Sequence, residues 1–245
     1  MVGLGKITKK GKALYLAYDQ GLEHGPIDFN DKNVDPNYIL DIAKRGKVSG
    51  LIFQKGIAEK YKSKVPLIVK LNGKTSLVKG EPLSRQLCSV KEALKLKAKA
   101  VGYTIYIGSR HENIMFREFE KIEKEAHKRK LPVILWAYPR GKGVNENSGK
   151  NLAYAARVGL ELGADIIKIR YNGKIEDMKW AVKSAGKTRV VVAGGKRKSP
   201  SGFLQDAKEV MKAGAIGLAV GRNIWQAKEP LEVVSKLKKI IWGKC

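Results

Sequence analysis

Eight short β-rich runs recur along this chain, and helical patterns fall between them. The runs are Lys12–Asp19, Gly50–Gln54, Pro66–Asn72, Val101–Tyr106, Pro132–Tyr138, Asp165–Tyr171, Arg189–Gly194 and Gly217–Gly221. The clearest helical patterns cover Ser89–Ala100, Glu112–Lys130, Leu152–Leu162, Gly202–Ala213 and Pro230–Ile241. Ser89 with Glu92 three residues on reads as a capping box at a helix start. The helix between Gln54 and Pro66 must be short. Strands alternating with helices predict a parallel sheet. Eight such units in 245 residues, roughly 30 each, predict a closed (β/α)8 TIM barrel of the α/β class, one domain spanning 1–245. The rival is a doubly wound open sheet, which commonly carries a glycine-rich turn after its first strand. Here that strand ends in Asp19-Gln20-Gly21 instead.

Composition narrows the function classes. Hydrophobic residues at 43% can bury a core, so global disorder is excluded. The two cysteines, Cys88 and Cys245, exclude a disulfide scaffold and a multi-cysteine zinc site, and suit a reducing cytoplasm. No apolar run approaches membrane-spanning length, and Met1 to Lys12 lacks the apolar centre of a secretion signal. Lys+Arg 49 against Asp+Glu 23 leaves a net charge of +26, which raises the question of a polyanionic partner. The cations are spread over nearly every amphipathic segment, and only 11 of the 49 are Arg, the residue that grips phosphates and bases bidentately. Nonspecific, salt-sensitive adhesion to nucleic acid is expected from such a coat, whereas dedicated sequence reading is not. The three histidines, His24, His111 and His127, lack ligand spacing with a carboxylate, so no metal site is expected. His24 alone lies near a strand end, where it would orient a loop or contact a substrate.

In a barrel of this kind, chemistry collects at the C-terminal ends of the strands. Strand side chains alternate, so Lys168 and Arg170 share one face while Ile167 and Ile169 share the other. If the isoleucines pack on helices, both cations point inward. A buried ammonium beside a guanidinium loses its proton more readily, and a neutral amine is what attack on a carbonyl requires. The alternative is a barrel-filling lysine paired with an acid. Tyr138 follows Trp136 with the same period of two; its phenol would move a proton, or simply pack at the rim. Asp19 would assist loss of water, pair with Lys168 or Arg170, or do both. Gly194-Gly195 and Gly221-Arg222 end adjacent strands, where close backbone approach and a guanidinium suit a phosphate; the alternative is that the glycines only turn the chain.

Several stretches, taken in order, resemble the archaeal-type class I fructose-1,6-bisphosphate aldolases. They are Ala17-Tyr18-Asp19-Gln20-Gly21 with Glu23-His24-Gly25-Pro26, Gln54-Lys55-Gly56-Ile57-Ala58, Lys70-Leu71-Asn72-Gly73-Lys74-Thr75, Val101-Gly102-Tyr103-Thr104-Ile105-Tyr106, Trp136-Ala137-Tyr138-Pro139-Arg140-Gly141, Gly163-Ala164-Asp165-Ile166-Ile167-Lys168 and Gly221-Arg222-Asn223-Ile224-Trp225-Gln226. The resemblance implies that Lys168 forms the Schiff base, that Tyr138 donates and accepts the proton, and that Asp19 assists. It implies substrate contacts from Asp19, Gln20, Trp136, Arg140, Lys168, Ile169, Arg170, Ala193, Gly194, Gly195, Gly221 and Arg222. It further implies a phosphorylated sugar substrate, no cofactor or metal, and a homo-oligomer, a decamer or pentamer. The chain departs from the pattern at Lys174, where the family often has an acid, and at Ala193, where it has Ser. On the helix surfaces Lys replaces acids, and Lys97 replaces a common Gly, so an engineered or adapted basic surface overlies an aldolase frame. Two other functions compete with fructose-bisphosphate cleavage: a related Schiff-base synthase of the same superfamily, and a cationic scaffold that binds nucleic acid.

Overall fold

The computed structural model describes residues 2–243. Its eight parallel strands are β1 (Ala13–Ala17), β2 (Gly50–Gln54), β3 (Leu67–Lys70), β4 (Ala100–Ile107), β5 (Val133–Pro139), β6 (Ile166–Ile169), β7 (Arg189–Ala193) and β8 (Gly217–Val220). They follow one another around a closed barrel, β8 pairing with β1. Each is followed by a helix: α1 (Pro36–Gly46), α2 (Lys55–Lys60), α3 (Val90–Lys95), α4 (Glu112–Lys128), α5 (Gly149–Glu161), α6 (Ile175–Ser184), α7 (Pro200–Lys212) and α8 (Pro230–Trp242). The eight sequence-derived strands are all present, and α2 is short, as the space before Pro66 requires. Helices α1 and α6 were not among the clear patterns. Asp35 caps α1 through the Asn37 amide, with Pro36 as its first residue. Both halves of the Ser89–Glu92 capping box are formed.

Two apolar layers explain why the strands read as near-continuous hydrophobic runs. Tyr15, Ile52, Ile68, Ile134, Trp136, Ile166, Val191 and Ala219 fill the barrel, and Ile7 from the N-terminal segment joins them. Their neighbours along the strands, Leu14, Leu51, Val69, Leu135, Ile167, Val192 and Leu218, pack outward on the helices. The alternation therefore decides which face of each strand reaches the cavity.

The turns from helix to strand carry a signature of the basic surface. Helix α3 stops at Lys95 rather than Ala100 because Lys97 adopts a left-handed conformation, φ 62°. The Ala98 amide then donates to the Ala93 carbonyl, and that of Lys97 to Leu94, closing a Schellman motif. Lys47 and Lys130 end α1 and α4 in the same way, with φ 48° and 54°. Gly163 and Gly214 do so after α5 and α7. Lysine at these three positions accepts a strain of about 1 kcal/mol or more that glycine avoids. The variant carrying Lys47→Gly, Lys97→Gly and Lys130→Gly together is expected to gain about 1 kcal/mol per site in urea unfolding. An unchanged or lower midpoint would contradict this account of the turns.

Candidate active site

The C-terminal mouth of the barrel holds a cleft of about 970 Å³. Asp19, Gln20, Trp136, Tyr138, Arg140, Lys168, Arg170, Ala193, Gly194, Gly195, Gly221 and Arg222 all line it. Ile169 is the exception among the residues singled out from sequence. Its side chain is buried in the outer layer against the helices, so only its main chain is left to touch a ligand.

Lys168 sits in the middle of the site because Ile167 and Ile169 claim the helix side of β6. Its side chain is 5% exposed. Burial holds its pKa below the ordinary lysine value; Asp19 works against this and Arg170 adds to it. The floor beside it is the Trp136 indole, with the Lys168 ammonium 4.7 Å from the ring centroid. That floor depends on Gly102, the residue of β4 aligned with Lys70 of β3. A Cβ at Gly102 would lie 2.0 Å from an indole carbon, so only glycine lets the ring lie across this strand.

Tyr138 projects from the next inward position of β5. Burial raises its phenol above the ordinary range, opposed chiefly by Arg170. The Arg170 guanidinium stands 5.1 Å from its ring centroid. An ion network spans the mouth above it. Arg140 bonds Glu23 at 3.0 Å and Glu146 at 2.7 Å, and Glu146 also bonds Arg170. His24 bonds Asp28 at 2.7 Å, and Asp28 in turn meets Arg222 at 3.3 Å, so this histidine belongs to the loop that braces Arg222.

Across the barrel, the ends of β7 and β8 form a cup. Asn223 builds it by donating to the Gly194 and Lys196 carbonyls, at 2.7 and 3.0 Å, and accepting from the Lys198 amide at 2.9 Å. The Gly194 amide is spent on the Ala219 carbonyl, so it is not an anion donor, contrary to the simplest reading of the paired glycines. The amides of Gly195, Gly221 and Arg222 have no protein acceptor among the described residues. Such convergent N–H groups beside a guanidinium suit a phosphate.

The sequence places Glu23 and Asn223 at strand ends without assigning them a role, and it does not single out Lys70 or Glu146. The signal for Lys70 was present: it is a cation on the inward period of a buried strand, as Lys168 is. Glu23 and Glu146 lie in loops, where no periodicity aims a side chain.

A closed parallel barrel with a desolvated amine at its mouth, facing an anion cup, defines a carbonyl-processing enzyme that works through lysine. The comparisons with known proteins agree. Residues 13–227 match the DeoC/LacD family of aldolases. A class 1 fructose-bisphosphate aldolase of Thermoproteus tenax is 51% identical, the alignment covering 96% of this chain and 92% of that one. A fructose-bisphosphate aldolase/6-deoxy-5-ketofructose 1-phosphate synthase of Methanocaldococcus jannaschii is 40% identical over 97% and 83% of the two chains. A solved archaeal fructose-1,6-bisphosphate aldolase, its catalytic Lys covalently bound to the carbinolamine intermediate of the substrate, superposes with a TM-score of 0.95 at 48% identity, covering 98% of each chain. The chain belongs to the DeoC/LacD aldolases, in the branch of the class I fructose-bisphosphate aldolases.

The Trp136 floor gives a direct test. Gly102→Ala is expected to push the indole aside, cost about 1–3 kcal/mol of stability and lower kcat/KM by roughly 100-fold. Full activity in this variant would show that the close approach of glycine and ring has no catalytic consequence.

Proposed function

We propose that this chain cleaves fructose 1,6-bisphosphate reversibly to dihydroxyacetone phosphate and glyceraldehyde 3-phosphate through a Schiff base on Lys168. One observation carries the reading: a lysine buried on the inward face of β6, its neutral form favoured by desolvation. The neutral Nζ attacks the C2 ketone. The alkoxide takes one proton from nitrogen to give the carbinolamine; its hydroxyl then takes a second, carried in from solvent through Asp19, and leaves as water, so the nitrogen keeps one proton. The resulting iminium accepts the electron pair of the C3–C4 bond as that bond breaks, and Tyr138 takes the C4 hydroxyl proton. The aldehyde departs, and Tyr138 returns the proton to C3 of the enamine. Water then releases the ketone. Taking the C4 proton requires the phenolate, and Arg170 over the Tyr138 ring is the cation placed to stabilise it. The neutral phenol favoured by burial suits the donating step.

The β7–β8 cup receives the C1 phosphate, with Arg222 supplying charge. Arg140 is the candidate for the C6 phosphate, which would displace Glu23 or Glu146 from the guanidinium. The same apparatus fits a synthase that condenses on an enamine, so a panel of sugar phosphates decides the preferred substrate. We also assign the chain to the cytoplasm and to a homo-oligomer. Exposed Tyr154 and Trp180, 65% and 57% accessible on helices α5 and α6 that pack together, support a contact face there. The spread of lysine over the helices supports loose adhesion to nucleic acid. No helix among the described residues is long and apolar enough to cross a membrane.

Borohydride reduction with dihydroxyacetone phosphate should attach a three-carbon phosphate to Lys168, located by peptide mass spectrometry. Lys168→Met should abolish both adduct and cleavage; an active Lys168→Met variant would refute the assignment. The rate of adduct formation should fall as pH drops through the depressed lysine pKa, because only the neutral amine attacks. Asp19→Asn removes the carboxylate that favours the ammonium, so the acid limb should move to lower pH while the maximal rate declines. A limb that moves upward would reverse the sign assigned to Asp19.

A further inference from the structure

We propose that Lys70 is a substrate-contacting residue that donates a hydrogen bond to the C3 hydroxyl, next to the reacting ketone. The inference rests on the aldolase reading above. Lys70 ends β3 and is 5% exposed, yet it lines the same cleft as Lys168. An ammonium carries three donors. One is met by the Asn72 carbonyl at 3.1 Å, and Lys70 forms no ion pair with any described residue. The other two donors have no acceptor among the described residues and face the cleft, so an oxygen in the cleft completes them, and a substrate hydroxyl placed there displaces water from a largely buried cation.

Its placement identifies that oxygen. Lys70 and Lys168 stand over the same indole, their nitrogens 5.4 and 4.7 Å from the Trp136 ring centroid. Strand β3 lies four places from β7 around the eight-stranded ring, opposite the phosphate cup. A ketose fixed at C2 by Lys168, with its C1 phosphate at β7 and β8, extends C3 away from the cup and over Trp136 toward β3. The Lys70 nitrogen is anchored there. Asn72 leaves the barrel to pair with Gln86, and its side chain donates to the Ser84 and Thr104 carbonyls at 2.9 and 2.8 Å and accepts from the Thr104 amide at 2.8 Å. The acceptor of the Lys70 bond is thus fixed from both neighbouring segments.

Burial lowers the pKa of Lys70 to about 8; Asp19 and Glu23 oppose the shift, and Lys168 adds to it. At neutral pH the group remains mainly the charged form, a hydrogen-bond donor.

The test pairs a residue change with a ligand change. Borohydride adduct formation on Lys168 is titrated with dihydroxyacetone phosphate and with hydroxyacetone phosphate, which lacks the hydroxyl in question. Lys70→Met is expected to weaken the first ligand by about tenfold or more and the second by less than about threefold. Lys70→Gln, which keeps an N–H donor and serves also if the Met variant is poorly folded, should recover part of the preference. Equal losses for the two ligands, or no loss for either, would overturn the contact. Failure of the wild-type enzyme to form any adduct on Lys168 would instead overturn the aldolase reading itself, so the two failures are distinct.

Discussion

Taking an ammonium out of water costs several kcal/mol, and this barrel does it twice within reach of a single indole. Lys168 and Lys70 are both 5% exposed, and neither has an ion pair among the described residues to offset its burial. The unmet cost is what makes the site chemical. Desolvation favours the neutral amine at Lys168, the form that the proposed attack on a ketone requires. Asp19 is the one carboxylate that acts on both lysines, and it limits how far either is driven.

Everything around these two side chains serves to keep them where they are. Ile167 and Ile169 lock β6 against the helices, which leaves Lys168 no outward alternative. Gly102 gives the Trp136 ring, which both ammonium groups approach, room to lie across β4. Glu23 and Glu146 hold Arg140 and Arg170 across the mouth, so the guanidiniums are already aligned for anionic oxygens. Charge is tightly organised in the mouth, in contrast to the scattered lysines outside.

Much of this was legible from residue order. A parallel strand buried on both faces leaves an uninterrupted apolar run, and so all eight could be read. The inward period of β6 exposed Lys168, and the same period carried Tyr138 two residues beyond Trp136. Helix α6 was harder, because its buried face is narrow: Met178 and Ala181 are its buried residues. The end of α3 at Lys95 could not be read from propensity, since lysine seldom takes the left-handed turn found at Lys97. Lys70 obeys the rule that exposes Lys168, being a cation on the inward period of a buried strand. Gly102 follows no such rule: its partner, the Trp136 ring, comes from a different strand, and only three-dimensional packing joins them. The occupied amide of Gly194 likewise depends on a ladder bond to Ala219 that no local pattern announces.

The lysine-terminated turns sit at the foot of the barrel, where each strand begins, and catalysis takes place at the opposite rim. Of the helix-to-strand turns that use a left-handed residue there, Lys47, Lys97 and Lys130 carry lysine, and Gly163, Gly186 and Gly214 carry glycine. The backbone strain at those lysines is therefore carried at the end of each strand remote from Lys168 and the cleft.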